Sequence, residues 1–255
     1  MGVITIIALA CIVLALHMWK QANENNVRVH EVTAVGTGEP VQLFFISDTH
    51  ARKINDKILR KIKGQVDAVI IGGDFVDHRT TEHTVLANIQ RLKKLGPLYF
   101  IWGNNDIEFE ESRLRALFLK HNVTVLENEA VKIGKEQSFS LCGVTFSPNL
   151  QQVKASFHSC DLNKTAFVAH NPELFSKVHK HFKPLLSIGG HLHGGQIRIF
   201  GWGLQPHGYF KQKGGSFELV SNGYGTTLLP IRLGAKPECH VIKIRFEQNQ
   251  TDVEN

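Results

Sequence analysis

The sequence predicts an α/β fold of two packed sheets with helices outside them, and three observations lead there. Short apolar runs bounded by Gly, Pro or Asp recur along the chain, as expected of strands buried on both faces. In the first half, stretches with helical spacing separate them, which implies parallel pairing. From Phe139 onward strand-like runs dominate, enough for a second sheet.

The elements follow in order. Residues 3–19 are apolar apart from Thr5 and His17, near the lower length for a membrane span, with Trp19 and Lys20 placed as interfacial anchors. Residues 27–32 alternate at period two, like a half-exposed strand, and residues 36–40 turn into the next. Strands are expected at 41–46, 68–71 and 98–102. Between them, Ile54, Ile58, Leu59 and Ile62 form one helical stripe, and Val85, Leu86, Ile89, Leu92 and Leu95 another. The second half offers strands at 139–146, 166–169, 185–188, 196–200, 217–220 and 240–246.

Chemistry concentrates where these strands end. Asp48-Thr49-His50 follows the first run, Gly73-Asp74 the second, and Gly103-Asn104-Asn105-Asp106 the third. His170 follows 166–169, and Gly190-His191-Leu192-His193 follows 185–188. An Asp after a strand is most often a helix cap, and Gly-Asn-Asn-Asp alone reads as a turn. Together they place carboxylate, imidazole and amide ligands at the carboxyl ends of strands, where α/β sheets bind ligands. Asp48 and His50 are two apart, as are His191 and His193, so extended backbone would point each pair to one side. Gly189, Gly190, Gly194 and Gly195 remove side chains that would block close approach. His78 and His207 are the other histidines worth following. Phosphate-loop, dinucleotide, serine-hydrolase and His-Glu-x-x-His motifs are absent, as is Cys-x-x-Cys.

This ordered set resembles the calcineurin-like metallophosphoesterases over residues 27–247. His170-Asn171-Pro172-Glu173, His193-Gly194-Gly195-Gln196 and the run from Gly223 through Pro230, Arg232 and Glu238 are similar to a bacterial membrane-associated subgroup of that family. The resemblance implies a four-layer αββα sandwich of two mixed sheets flanked by helices. It implies two divalent metal ions: Asp48, His50 and His193 on one, Asn104, His170 and His191 on the other, with Asp74 bridging. Paired ions lower the pKa of a water that attacks phosphorus, and this oxygen and imidazole set suits Mn, Fe or Zn. The family's usual His after the ligand Asn, a proton donor to the leaving group, is Asn105 here, and Asp106 would normally orient it. An amide is no general acid near neutral pH, and losing one typically removes about 10²- to 10⁴-fold in rate. His78, water or an undemanding leaving group could stand in. The expected function is hydrolysis of a phosphodiester or pyrophosphate near the membrane, lipid-linked or from the cell envelope. The alternative is a non-catalytic metal-binding sensor or scaffold for a phospho-ligand.

The expected organisation is an uncleaved N-terminal membrane anchor, residues 1–24, and a metallophosphoesterase domain, residues 25–255. No Lys or Arg precedes the apolar run and no small-x-small site follows it, which argues against a signal peptide. Lys20 and Arg28 follow the run, and the cysteines outside it are odd in number, so both hints favour a cytoplasmic domain on a single-pass membrane protein. A net charge of +6 suits a phosphate-bearing substrate or an anionic membrane. No dense basic run with interleaved aromatics points to nucleic acid, and nothing indicates a protein partner. The segment Phe200-Gly201-Trp202-Gly203-Leu204 is either an apolar lip, for substrate or membrane, or an ordinary packed loop.

Overall fold

A computed structural model describes residues 2–248. Helix α1 (Gly2–Ala22) comes first. The first six-stranded sheet runs β1 (Asn26–Val35), β14 (Glu238–Glu247), β2 (Val41–Ile46), β3 (Ala68–Ile71), β4 (Leu98–Phe100) and β5 (Val123–Val125). The second runs β12 (Tyr209–Lys213), β13 (Ser216–Val220), β9 (Leu186–Gly189), β8 (Thr165–Val168), β7 (Phe139–Gly143) and β6 (Glu129–Ile133). Both are mixed: β2, β3, β4 and β5 are parallel while β14 is antiparallel to β2, and β7, β8, β9 and β13 are parallel between antiparallel edges.

Largely apolar runs form the central strands because both faces are buried. In β2, Leu43 and Phe45 meet the second sheet, while Phe44 and Ile46 meet helices α2 (Asp56–Leu59), α3 (Glu82–Leu92) and α4 (Glu111–Lys120). In β8, Ala166 and Val168 face inward, and Phe167 faces α5 (Leu150–Ser156) and α6 (Leu174–Val178). The result is helices, sheet, sheet, helices, the expected αββα order. Each such buried side chain contributes about 1.5–3 kcal/mol, so three apolar layers hold the sandwich.

Several expected bounds differ. Strands 98–102 and 139–146 stop at Phe100 and Gly143, because the chain leaves each sheet to form loops. Asn55 caps α2, which is a single turn, so Ile54 packs ahead of it rather than within it. Residues 196–200 join neither large sheet: positive φ at Gln196 and Phe200 bends them into a small hairpin, β10 (Arg198–Ile199) against β11 (Trp202–Gly203). The C-terminal strand β14 lies in the first sheet, between β1 and β2, rather than with its sequence neighbours.

Candidate metal centre

The loops leaving β2, β3 and β4 of one sheet and β8 and β9 of the other meet at one end of the sandwich. They are stitched together by backbone bonds: Asp48 N–H donates to the Gly73 carbonyl (2.9 Å), His50 N–H to that of Asp74 (3.1 Å), and Gly190 N–H to that of His170 (3.0 Å). Asp48, His50, Asp74, His191 and His193 all have positive φ. The expectation of extended pairs is therefore corrected, since left-handed turns aim these side chains. Asp and His tolerate that region better than bulky residues, and its clustering marks a site where surrounding structure offsets backbone strain. A side chain on Gly103 would collide with the Asp74 carboxylate, and one on Gly190 with that of Asp48.

Two compact groups result. Asp48, His50 and His193 form one, and Asp74, His170 and His191 the other, with each group's ligand atoms within 4.8 Å of one another. In the first, His193 Nε2 lies 3.2 Å from His50 Nε2 and 3.3 Å from Asp48 Oδ1. In the second, His170 Nε2 lies 3.3 Å from Asp74 Oδ2 and 3.2 Å from His191 Nδ1. His191 and His193 belong to different groups, unlike Asp48 and His50. The groups adjoin, with His170 Nε2 4.0 Å from Asp48 Oδ1.

Neighbouring residues set how the ligand atoms point. His170 Nδ1–H donates to the Gly72 carbonyl (2.8 Å), which turns Nε2 toward Asp74. Asp77 lies 3.3 Å from His50 Nδ1 and is itself held by Arg79. The Asn104 amide donates to Asn105 Oδ1, while Asn104 Oδ1 is buried without a hydrogen-bond partner. The Asn105 N–H donates to Asp74 Oδ1 (2.8 Å). Asp106 is fully buried and accepts three backbone N–H bonds, from Asp74 (2.9 Å), Gly103 (2.7 Å) and Val76 (3.0 Å). It thereby joins the loops that carry Asp74 and Asn104.

Arg232 is fully buried and donates to the carbonyls of Asn222, Gly225, Ala235 and His193, with Nη2 3.1 Å from His193 Nδ1. Arg232 and Asp77 escaped assignment to the site from sequence. Arg232 lies 39 residues from its histidine, and only the family-like run around it pointed there. Asp77, three residues past Asp74, carries no motif of its own. Of the two histidines worth following, His78 has a 71% exposed side chain bound to Glu108 (2.9 Å), and exposed His207 bonds the Gly208 carbonyl (2.8 Å). The structure brings neither into the buried groups.

Electrostatics divides the imidazoles. Burial opposes charge on His170, but the Asp74 and Asp48 carboxylates outweigh it and raise its pKa to about 9. Burial, then Arg232, pushes His193 well below its ordinary value. Burial, then His170, lowers His191. Burial and repulsion from Asp74 raise Asp106 to about 7. Largely buried imidazole nitrogens, carboxylates and an orphaned amide oxygen converging on small gaps fit divalent cations, because unpaired buried polar groups are otherwise costly. Oriented second nitrogens, as on His50 and His170, are the usual support for metal-ligating histidine.

The family model described as calcineurin-like phosphoesterase superfamily domain matches residues 41–198, more than half of the chain. An uncharacterized protein, YpbG of Bacillus subtilis (strain 168), is 32% identical over 250 residues, 95% of each chain. The uncharacterized metallophosphoesterase YkoQ of the same organism is 25% identical, over 86% of this chain and 89% of its own. Phosphodiesterase YaeI of Escherichia coli (strain K12) is 29% identical over 176 residues, 63% of each.

Proposed function

Because this chain belongs to the calcineurin-like phosphoesterase superfamily and is a metal-dependent phosphoester hydrolase, we propose that it cleaves a phosphodiester or pyrophosphate bond at a membrane surface. The supporting observation is the pair of buried groups at the seam of the two sheets. On this reading Asp48, His50 and His193 would hold one divalent ion and Asn104, His170 and His191 the other, with Asp74 available as a further ligand. Mn, Fe or Zn would suit these donors. Bound there, the ions supply Lewis acidity toward a phosphoryl oxygen and the attacking water.

The chain's own residues aim and hold. Gly72 fixes the ring of His170 and Asp77 that of His50, while Arg232 ties the His193 carbonyl to those of Gly225 and Ala235. Asn105 and Asp106 act by position: one holds the Asn104 amide, the other ties two ligand loops together. Asn105 cannot protonate a leaving group. His78 is the remaining candidate donor, and a good leaving group removes the need for one. Likeness to a phosphodiesterase supports a diester over a monoester. We read α1 as the anchor: 21 residues span about 30 Å, the thickness of a hydrocarbon core. A lipid-linked or envelope phosphate would then be within reach.

The test is turnover of bis-p-nitrophenyl phosphate by the whole protein in detergent micelles with Mn²⁺. Metal-dependent cleavage that His191→Ala abolishes is expected. Two bound ions per chain without turnover would favour a phospho-ligand sensor, the reading Asn105 keeps open.

A further inference from the structure

Beside the metal centre lies an apolar surface that the core does not absorb. From His193 the chain passes through Gly194 and Gly195 into the β10–β11 hairpin. Phe200 there is 100% exposed and Trp202 84%, and Leu204 follows at 96%. The loop after Thr227 adds Leu228 at 88% and Leu229 at 60%. Packing under the tryptophan, one of the sequence expectations, is thus overturned. Gln196 ties the two segments: its amide donates to the Thr227 carbonyl (3.1 Å), and its Oε1 accepts from Thr227 N–H (2.9 Å). Leu204, Leu228 and Leu229 line one shallow cavity of ≈ 470 Å³ with Ile197. Exposed apolar side chains are ordinary when scattered, but a contiguous group marks a contact surface.

Helix α1 indicates what covers it. Arg232 N–H donates to the Met18 carbonyl (3.1 Å), and Gly234 N–H to Gln21 Oε1 (2.8 Å). These bonds fix the end of an exposed apolar helix within a few residues of Leu228 and Leu229. The hairpin is also prepared for a dry environment. The Arg198 guanidinium donates to the carbonyls of Gly194 (2.9 Å), Gly201 (2.6 Å) and Gln205 (2.8 Å), so backbone oxygens behind the tip keep partners away from water.

We propose that Phe200, Trp202, Leu204, Leu228 and Leu229 form a rim that enters the headgroup and acyl boundary of a lipid bilayer beside α1. The His193 side of the metal centre then works at the lipid surface. Tryptophan and leucine on an interfacial face typically bury about 5–10 Å into that boundary. The proposal rests on the reading of α1 as an anchor.

The chain's three tryptophans separate the two ideas: Trp19 ends the apolar part of α1, Trp102 is buried, and Trp202 is on the rim. The whole protein is reconstituted in vesicles of phosphatidylcholine and phosphatidylglycerol, with or without lipid brominated at the shallow end of the acyl chain. Fluorescence quenching is expected in both Trp19→Phe and Trp202→Phe proteins and should be lost in the double variant. Quenching in Trp202→Phe but not in Trp19→Phe would overturn the rim and leave the anchor. The reverse would keep the rim and remove the anchor, and none in either would remove both. Phe200→Asp combined with Leu204→Asp, in the Trp19→Phe protein, should abolish quenching while leaving cleavage of water-soluble esters unchanged. Quenching that survives both aspartates would place Trp202 in lipid for another reason and overturn the rim.

Discussion

Asn105 stands where the family resemblance implies a proton donor, but its side-chain oxygen is engaged by the Asn104 amide. Removing that contact in Asn105→Ala leaves Asn104 free to turn, so affinity for the ion that Asn104 is proposed to help hold should fall about 10- to 100-fold, as for other supporting residues. Chelator competition reads this directly, and an unchanged affinity would refute the positioning role. The missing acid has its own signature. Alkyl monoesters should be cleaved about 10²-fold or more slowly than nitrophenyl esters, and equal rates would show that another group donates. Asp106 is a stability residue on this geometry. Asp106→Ala would orphan three buried N–H groups at about 1–3 kcal/mol each before relaxation, so Tm should fall by several degrees in a calorimeter. The convergence of Asp48, Asp74, His170 and the histidine pair was legible because polar ligands beside glycine stand out at the ends of apolar runs. Asp77 and Arg232 were not, because what they do depends on loops packing against each other rather than on neighbours in sequence.

Between β1 and β14 two histidines form a titratable pair. His30 Nε2 lies 3.0 Å from His240 Nδ1, and His240 Nε2 lies 2.9 Å from Ser221 Oγ. Burial, then Arg28, lowers His30 to about 4, and burial, then His30, puts His240 well below its usual range. Unfolded, both would bind protons near pH 6.5. Between there and about 4 the unfolded chain therefore holds more protons. The stability this pair contributes is full above about 6.5 and is lost as pH falls through that window. Metal-loaded protein should show Tm dropping from pH 7.5 to 5, with a smaller drop for His30→Gln. Parallel curves for the two proteins would exclude the pair as the cause. The buried strands of these sheets were readable because an apolar run with no polar face fits few other environments. The β10–β11 hairpin was misread as a strand, since Ile197, Ile199 and Phe200 look the same whether a run lies in a sheet or faces outward. The place of β14 was unreadable for a different reason: its alternation specifies a strand but not which sheet receives it.

At the scale of the molecule, the candidate metal centre joins two sheets that otherwise meet through apolar contact. Asp48, His50, Asp74 and Asn104 come from the first, His170, His191 and His193 from the second. Cations bound there would act as cross-links between the layers. Each ion at 100 times its Kd adds about 2.7 kcal/mol, and at roughly 2–4 °C per kcal/mol its removal should lower Tm by about 5–10 °C. Calorimetry with and without chelator tests this, and superimposable traces would show that the sheets do not depend on metal.

The insertion of β14 between β1 and β2 bears on how the protein is made. Asn26 pairs with Glu238 and Val35 with Glu247, in parallel, so the first sheet has a gap until the last strand arrives. At about 5–20 residues per second, a ribosome needs roughly 10–40 s to supply the ~210 residues between them. Throughout that time β1 and β2 present unpaired edges, close in sequence to the apolar helix α1. Completion of the first sheet must therefore wait for residues 238–247, and a ribosome that stalls before residue 238 leaves an open sheet on the nascent chain.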